Sequence, residues 1–196
     1  MEIKTNHVLD AKGLSCPMPI VKTKKEMSGM EPGQVIEVQA TDKGSIANIQ
    51  AWAKSTGEQY LGTVQEKDTL KHYLRKSDPE ETKEETKYPH TASLKDLKEK
   101  LDDGEKITVV DVREPAEYAF GHIPGAKSIP LGELEDHLND LKQDDNIHVI
   151  CRTGHRSDYA AQKMAEKGFE KVINVVPGMA EWDGPVEKQE GGHQHE

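Results

Sequence analysis

Apolar residues in the first 76 positions change period several times, and each change marks a predicted element. His7-Val8-Leu9-Asp10 alternates as a strand does, whereas Ile20, Val21, Met27 and Met30 recur at roughly helical spacing. Pro32-Gly33 makes a turn into the strand Val35 to Ala40. Asp42 is the expected N-cap of a helix carrying Ile46, Ile49, Trp52 and Ala53 on one face, closed by Gly57. Tyr60 to Val64 and Leu70 to Leu74 read as two strands around a Glu66-Lys67-Asp68 turn. The order β-α-β-α-β-β predicts a two-layer α+β sandwich for residues 1–76.

Asp78 to Lys87 contains no apolar residue, so residues 77–90 read as an acidic linker whose job is to tether. Patterning resumes in residues 91–186. Ser93 to Leu101 is an amphipathic helix capped by Ser93 or Thr91, and Ile107 to Asp111 is a buried-type strand. A short helix from Pro115 to Tyr118 leads into a turn-rich loop, Gly121 to Gly125, and then a brief strand, Ser128 to Pro130. Leu131, Leu134, Leu138 and Leu141 mark another helix, and Ile147-His148-Val149-Ile150 is an apolar strand ending abruptly at Cys151. Behind it Tyr159, Ala160, Met164 and Ala165 repeat at helical spacing until Gly168, and Lys171 to Val175 closes the set. Alternating strands and helices predict an α/β domain whose parallel sheet is covered on both faces. Residues 187–196 form a polar tail. Its His193 and His195 could hold a metal only weakly, with no third ligand in the motif.

Charge separates the two parts further. Residues 1–76 hold 11 Lys/Arg and 9 Asp/Glu, while the remainder holds 15 and 27. The net charge of −10 argues against nucleic acid as a general partner. No membrane-length apolar run and no signal-like opening occur, so a cytoplasmic location without membrane association is expected. Two cysteines in 196 residues are no disulfide scaffold.

Each cysteine stands at the start of a helix. Cys151 is followed by Arg152, Thr153, Gly154, His155 and Arg156, with Ser157 behind. Unpaired amides of a helix's first turn and its dipole favour an anion there, and a thiolate benefits. Arg152, His155 and Arg156 add positive charge. Cys16 precedes Pro17-Met18-Pro19; proline suits a first helical turn, so the remaining amides there are expected to point at the sulfur.

Residues 91–186 resemble a rhodanese domain, a persulfide-carrying sulfurtransferase module. The resemblance rests on the loop Cys151 to Arg156, on Asp111-Val112-Arg113-Glu114, Glu117-Tyr118 and Gly121 to Ala126 upstream, and on Gly178 and Trp182 downstream. Residues 7–76 resemble the TusA-type sulfur carriers through Cys16-Pro17-Met18-Pro19, Asp10 to Leu14, Ala40-Thr41-Asp42 and Trp52. Lys43 and Asn48-Ile49-Gln50 depart from the family's usual Pro and Asp-Ile-Pro, which bears on partner preference.

These resemblances imply sulfur transfer. The Cys151 thiolate would take the outer sulfur of thiosulfate or a low-molecular-weight persulfide, with Cys16 as the relay cysteine in either direction. The loop residues Arg152, Thr153, Gly154, His155 and Arg156 would bind the anionic donor, and proteins that give or accept sulfur would be partners. No cofactor or metal is called for. Asp111, Arg113 and His122 read as framework residues. Rival readings are a non-catalytic docking module, a Cys16–Cys151 redox switch, and a cysteine phosphatase or arsenate reductase. The last resemble a Cys-x5-Arg loop one residue longer than this one.

Overall fold

A computed structural model describes residues 2–82 and 87–189, and the chain divides into two compact units, Met1–Pro79 and Glu80–Lys188. In the first unit β1 (His7–Ala11), β2 (Val35–Ala40), β4 (Thr69–Arg75) and β3 (Gln59–Glu66) lie side by side in that order. β1 runs parallel to β2, and the other pairings are antiparallel. Helices α1 (Met18–Ser28) and α2 (Ser45–Thr56) pack on one face, where Ile36, Val38 and Leu74 meet Met27, Met30, Ile49 and Ala53. The α+β sandwich expected from the pattern is present.

Two details differ. Val21 is half exposed; the inward face of α1 is Pro19, Thr23 and Met27, spaced four apart, with Met30 beyond the helix end. Asp42 does not cap α2, which starts at Ser45 with no side-chain cap. Its carboxylate instead accepts the N–H groups of Gly44 and Cys16. Gly57 ends α2 in the left-handed region, as a glycine without Cβ can.

The second unit has five parallel strands in the order β5 (Thr91–Ser93), β9 (Val172–Val176), β8 (Ile147–Ile150), β6 (Thr108–Asp111) and β7 (Lys127–Ser128). Side chains alternate across it. Val110, Ile147, Val149 and Val172 pack with α5 (Leu134–His137) and α6 (His155–Glu166), while Val109, Ile150 and Val175 pack with α3 (Leu94–Asp102) and Ile123. Ser93 caps α3 in a reciprocal box with Asp96.

The leucine-marked helix is broken into α5 and two flanking 3-10 turns, and strand β5 was not apparent from pattern. Tyr159 is half exposed, and α6 buries Arg156, Ser157, Asp158, Ala160, Ala161 and Met164. Within the stretch expected to tether, residues 77–90, two described side chains are packed. Glu81 is buried beside Arg156, and Tyr88 is buried in the core with its hydroxyl on the Val172 carbonyl. An acidic run lacks apolar groups, but a carboxylate buries when it meets a cation. Residues 83–86 of that expected linker, and the tail histidines His193 and His195, lie outside the described residues.

Candidate functional sites around the two cysteines

Cys151 is fully buried at the carboxyl end of β8, where a parallel sheet places its functional loops. The chain turns through Gly154 at φ +92°, a left-handed conformation that suits glycine. That turn aims the Gly154 N–H at the sulfur, 3.1 Å away. The Cys151 thiol lies 3.3 Å from Ser157 Oγ, which donates to Asn174 Oδ1 at 2.5 Å. Asn174 Nδ2 returns to the Gly154 carbonyl at 3.3 Å, so β9 fixes the loop that holds the sulfur. Behind it, Met179 and Ala180 donate their N–H groups to the Cys151 and Arg152 carbonyls. Gly178 permits that approach, because a Cβ there would overlap both carbonyl oxygens.

The structure brings the six loop residues together but gives them unlike surroundings. Arg152 and His155 are half-buried, with part of each reaching solvent. Thr153 Oγ1 is buried with no partner among the described residues. Arg156 is buried and held bidentately by Glu117, at 2.7 and 3.1 Å. Its Nε also lies 3.1 Å from Glu81 Oε1, an ion contact bent away from hydrogen-bond alignment. Burial opposes the charge of Arg156, but Glu117 first, then Cys151 and Glu81, outweigh it and hold the pKa above the ordinary value. The guanidinium is thus engaged by the carboxylates of Glu117 and Glu81. Two residues on, Asp158 Oδ1 accepts the N–H groups of Lys87 and Tyr88. The connector is therefore fastened to the first turn of α6 by Glu81 and again by Lys87 and Tyr88.

Asp111, Arg113 and His122 take the framework places expected of them. Arg113 Nη2 meets Asp111 Oδ2 at 2.7 Å and the Gly121 carbonyl at 2.7 Å. His122 stacks on Tyr118 with ring centres 3.7 Å apart, and its Nδ1 donates to the Tyr118 carbonyl.

Cys16 is exposed. Its sulfur is not cradled by amides of α1, contrary to expectation. Pro17 and Pro19 have no N–H, Met18 donates to the Ser15 carbonyl, and Ile20 donates to that of Pro17. The sulfur accepts from Asn48 Nδ2 at 3.2 Å, while the Cys16 N–H donates to Asp42 Oδ2 at 3.1 Å. Cys16, Pro19, Ile20, Asp42, Ser45 and Asn48 line a shallow depression there. Beneath it Ser45 Oγ meets His72 Nε2 at 2.8 Å, and His72 Nδ1 meets Thr63 Oγ1 at 2.7 Å. Burial lowers the His72 pKa to about 4, so the ring is neutral near pH 7.

Sequence reasoning missed Asn174, Glu81 and the contact of Asn48 with sulfur. An Asn inside the apolar run Val172 to Val176 was a usable signal, since a buried amide needs partners. Glu81 offered none, being one of several acids in a row.

Residues 7–76 match the family Sulfurtransferase TusA, and residues 93–184 match the family Rhodanese-like domain. Over 185 residues the chain is 51% identical to "Putative sulfur carrier protein YrkF" of Bacillus subtilis (strain 168), covering 94% of this chain and 100% of that one. It is 42% identical over 69 residues to the Sulfur carrier protein TusA of Allochromatium vinosum, covering 35% of this chain and 91% of that one. A solved Rhodanese-like Domain Protein from Staphylococcus aureus aligns at 31% identity and TM-score 0.49, covering 52% of this chain and 100% of that one. No helix among the described residues is long and apolar enough to cross a membrane. With both parts matched in order and one relative alike over its whole length, the chain belongs to the sulfur carrier and sulfurtransferase family that joins a TusA-type module to a rhodanese-like domain.

Proposed function

We propose that the protein takes sulfane sulfur from thiosulfate or a low-molecular-weight persulfide onto Cys151 and relays it through Cys16. The Cys151 thiolate attacks the donor's outer sulfur. A new S–S bond forms as the donor's own breaks, and sulfite or a thiolate leaves with the bonding pair. The product is Cys151–S–S⁻. The Cys16 thiolate then attacks that outer sulfur, becomes Cys16–S–S⁻ and returns Cys151 to a thiolate. The observation carrying this reading is the Gly154 N–H set 3.1 Å from Cys151 Sγ, a preorganised donor for negative charge on sulfur.

Arg152 and His155, half-buried at the loop, attract the anionic donor, and the Thr153 hydroxyl, which has no partner among the described residues, can meet one of its oxygens. Arg156, tied to Glu117, supports the sulfur's charge while keeping the loop in place. Sulfur-relay proteins are the expected partners, as the names of the carrier relatives suggest. Two free cysteines suit a reducing compartment, and the cytoplasm is our assignment.

Intact-mass spectrometry after incubation with thiosulfate or glutathione persulfide tests the relay. One added sulfur on Cys151 in Cys16→Ser, with Cys16 loading only when Cys151 is intact, is expected. No adduct on either cysteine with any donor would sink the proposal. Loading of Cys16 in Cys151→Ser would reverse the direction.

A further inference from the structure

We propose that Asn48 is a catalytic residue of the Cys16 site, its side-chain amide holding the sulfur as a thiolate. The inference rests on the relay reading and deepens it. Among the described residues no backbone N–H donates to the Cys16 sulfur. The two prolines carry no N–H, and the amides of Met18 and Ile20 donate to carbonyls. The charged side chain lining the depression, Asp42, is an acceptor and opposes a second negative charge beside it. Its two oxygens are turned to the Cys16 and Gly44 N–H groups, fixing the cysteine backbone. That leaves Asn48 Nδ2, 3.2 Å from Sγ, as the donor to the sulfur among the described residues. Asn48 sits in the first turn of α2, a helix anchored by Ile49 and Ala53 in the core, so the amide is held by a rigid element.

The chemistry assigns the amide to particular steps. When Cys16 attacks a persulfide, the reacting form is its thiolate, and a neutral N–H donor favours that form without adding charge. When an acceptor thiolate R–S⁻ later takes the outer sulfur, the Sγ–S bond of Cys16–S–S⁻ breaks. The electron pair returns to Sγ, and R–S–S⁻ departs. Asn48 then stabilises the leaving thiolate, so discharge from Cys16 depends on it as much as loading does.

Alkylation by iodoacetamide gives a readout that does not need sulfur transfer. It is followed by intact mass on the full chain carrying Cys151→Ser, with Asn48, Asn48→Ala or Asn48→Asp. At pH 7, Asn48→Ala should be alkylated about tenfold more slowly, as loss of one hydrogen bond to an ionised group implies. Asn48→Asp should be slower still, because its carboxylate only accepts and repels the thiolate. At pH 10, where free thiols are largely ionised, the three rates should converge, which a merely structural defect would not produce. Equal rates at pH 7 would overturn the assignment. Asn48→Ala decides the matter should Asn48→Asp fail to fold. A slowed alkylation in the variants, with no sulfur ever loaded on Cys16 beside an intact Cys151, would uphold Asn48 and defeat the relay instead.

Discussion

Cys151 is fully buried and takes its hydrogen bond from the backbone of its own loop, whereas Cys16 is exposed and takes it from a side chain 32 residues away. The sequence invites the opposite conclusion, that both sulfurs use one device at a helix start. Proline makes the difference. A loop with free amides can turn one onto the sulfur, and Gly154 does so through a left-handed turn. Pro17 and Pro19 remove two of the amides that α1 would have offered, and a neighbouring helix supplies the donor instead. A backbone cradle resists point substitution but depends on the fold around it. A side-chain contact is open to mutation and leaves the sulfur accessible to large partners.

The largest break in this comparison is expected at Gly178. A methyl group there would meet the carbonyl oxygens of Cys151 and Arg152, and the backbone has φ +129°. Gly178→Ala should cost about 4 kcal/mol, from overpacking and backbone strain together, and abolish sulfur loading on Cys151. Urea denaturation and intact mass would show it, while alkylation of Cys16 stays at its normal rate. A normally loaded Cys151 in this variant would contradict the backbone cradle.

Glu117→Ala comes next. It removes the bidentate partner of buried Arg156 and should cost about 3 kcal/mol, the typical penalty of breaking a buried pair. Glu81→Ala removes the bent contact to Arg156 and should cost about 1 kcal/mol, with faster tryptic cleavage after Lys87 as the connector loosens. Equal stability losses would mean that the connector holds Arg156 as firmly as α4 (Pro115–Phe120) does.

How much of this was legible depends on the range of the interaction. Local signals carried far: the run Ile147 to Ile150 stopping at Cys151 and Gly57 after Ala53 marked element ends that the structure reproduces, and of the two caps offered for α3, Ser93 or Thr91, the structure uses Ser93. The placement of Cys151 in a loop at a strand's carboxyl end followed from the same signals. What pattern did not disclose depends on distant partners. Asp42 had the chemistry of a cap, yet the Cys16 N–H competes for its carboxylate from 26 residues away. Glu81 lay in a stretch that looked solvated until Arg156 met it. The leucines from 131 to 141 kept helical spacing, yet the structure shortens that helix to one turn flanked by 3-10 turns, for which the spacing gave no warning.

Labelling with a bulky maleimide sharpens the contrast in access. Cys16 should react at once, and Cys151 only through opening of its loop. A gap of about 30-fold in rate corresponds to roughly 2 kcal/mol of local opening. Comparable rates would mean that the Cys151 loop opens almost freely in solution.

The smallest expected effect lies in two buried imidazoles, one in each unit. Burial lowers the pKa of His72 to about 4, and burial with nearby Lys100 does the same for His148. Both folded values lie below the unfolded value of about 6.5, so the unfolded chain binds the proton more tightly. Their contribution is therefore fully present above pH 6.5 and is lost as the pH falls toward 4. The rings differ in partners. His72 is hydrogen-bonded by Ser45 and Thr63 on its two nitrogens, whereas His148 Nδ1 has no partner among the described residues. His72→Leu should leave the Ser45 hydroxyl without its ring partner, while Thr63 keeps Tyr60, and cost about 1 kcal/mol at pH 7, with slower chemistry at Cys16 because Ser45 lines its depression. His148→Leu removes an unsatisfied nitrogen from an apolar strand and should cost less, while flattening the loss of stability between pH 6.5 and 5. Urea midpoints at pH 7 and pH 5 for the two variants decide it. An unchanged pH slope in His148→Leu would mean that this ring takes up a proton in the folded protein as readily as in the unfolded chain, and that the strand leading to Cys151 tolerates a charge.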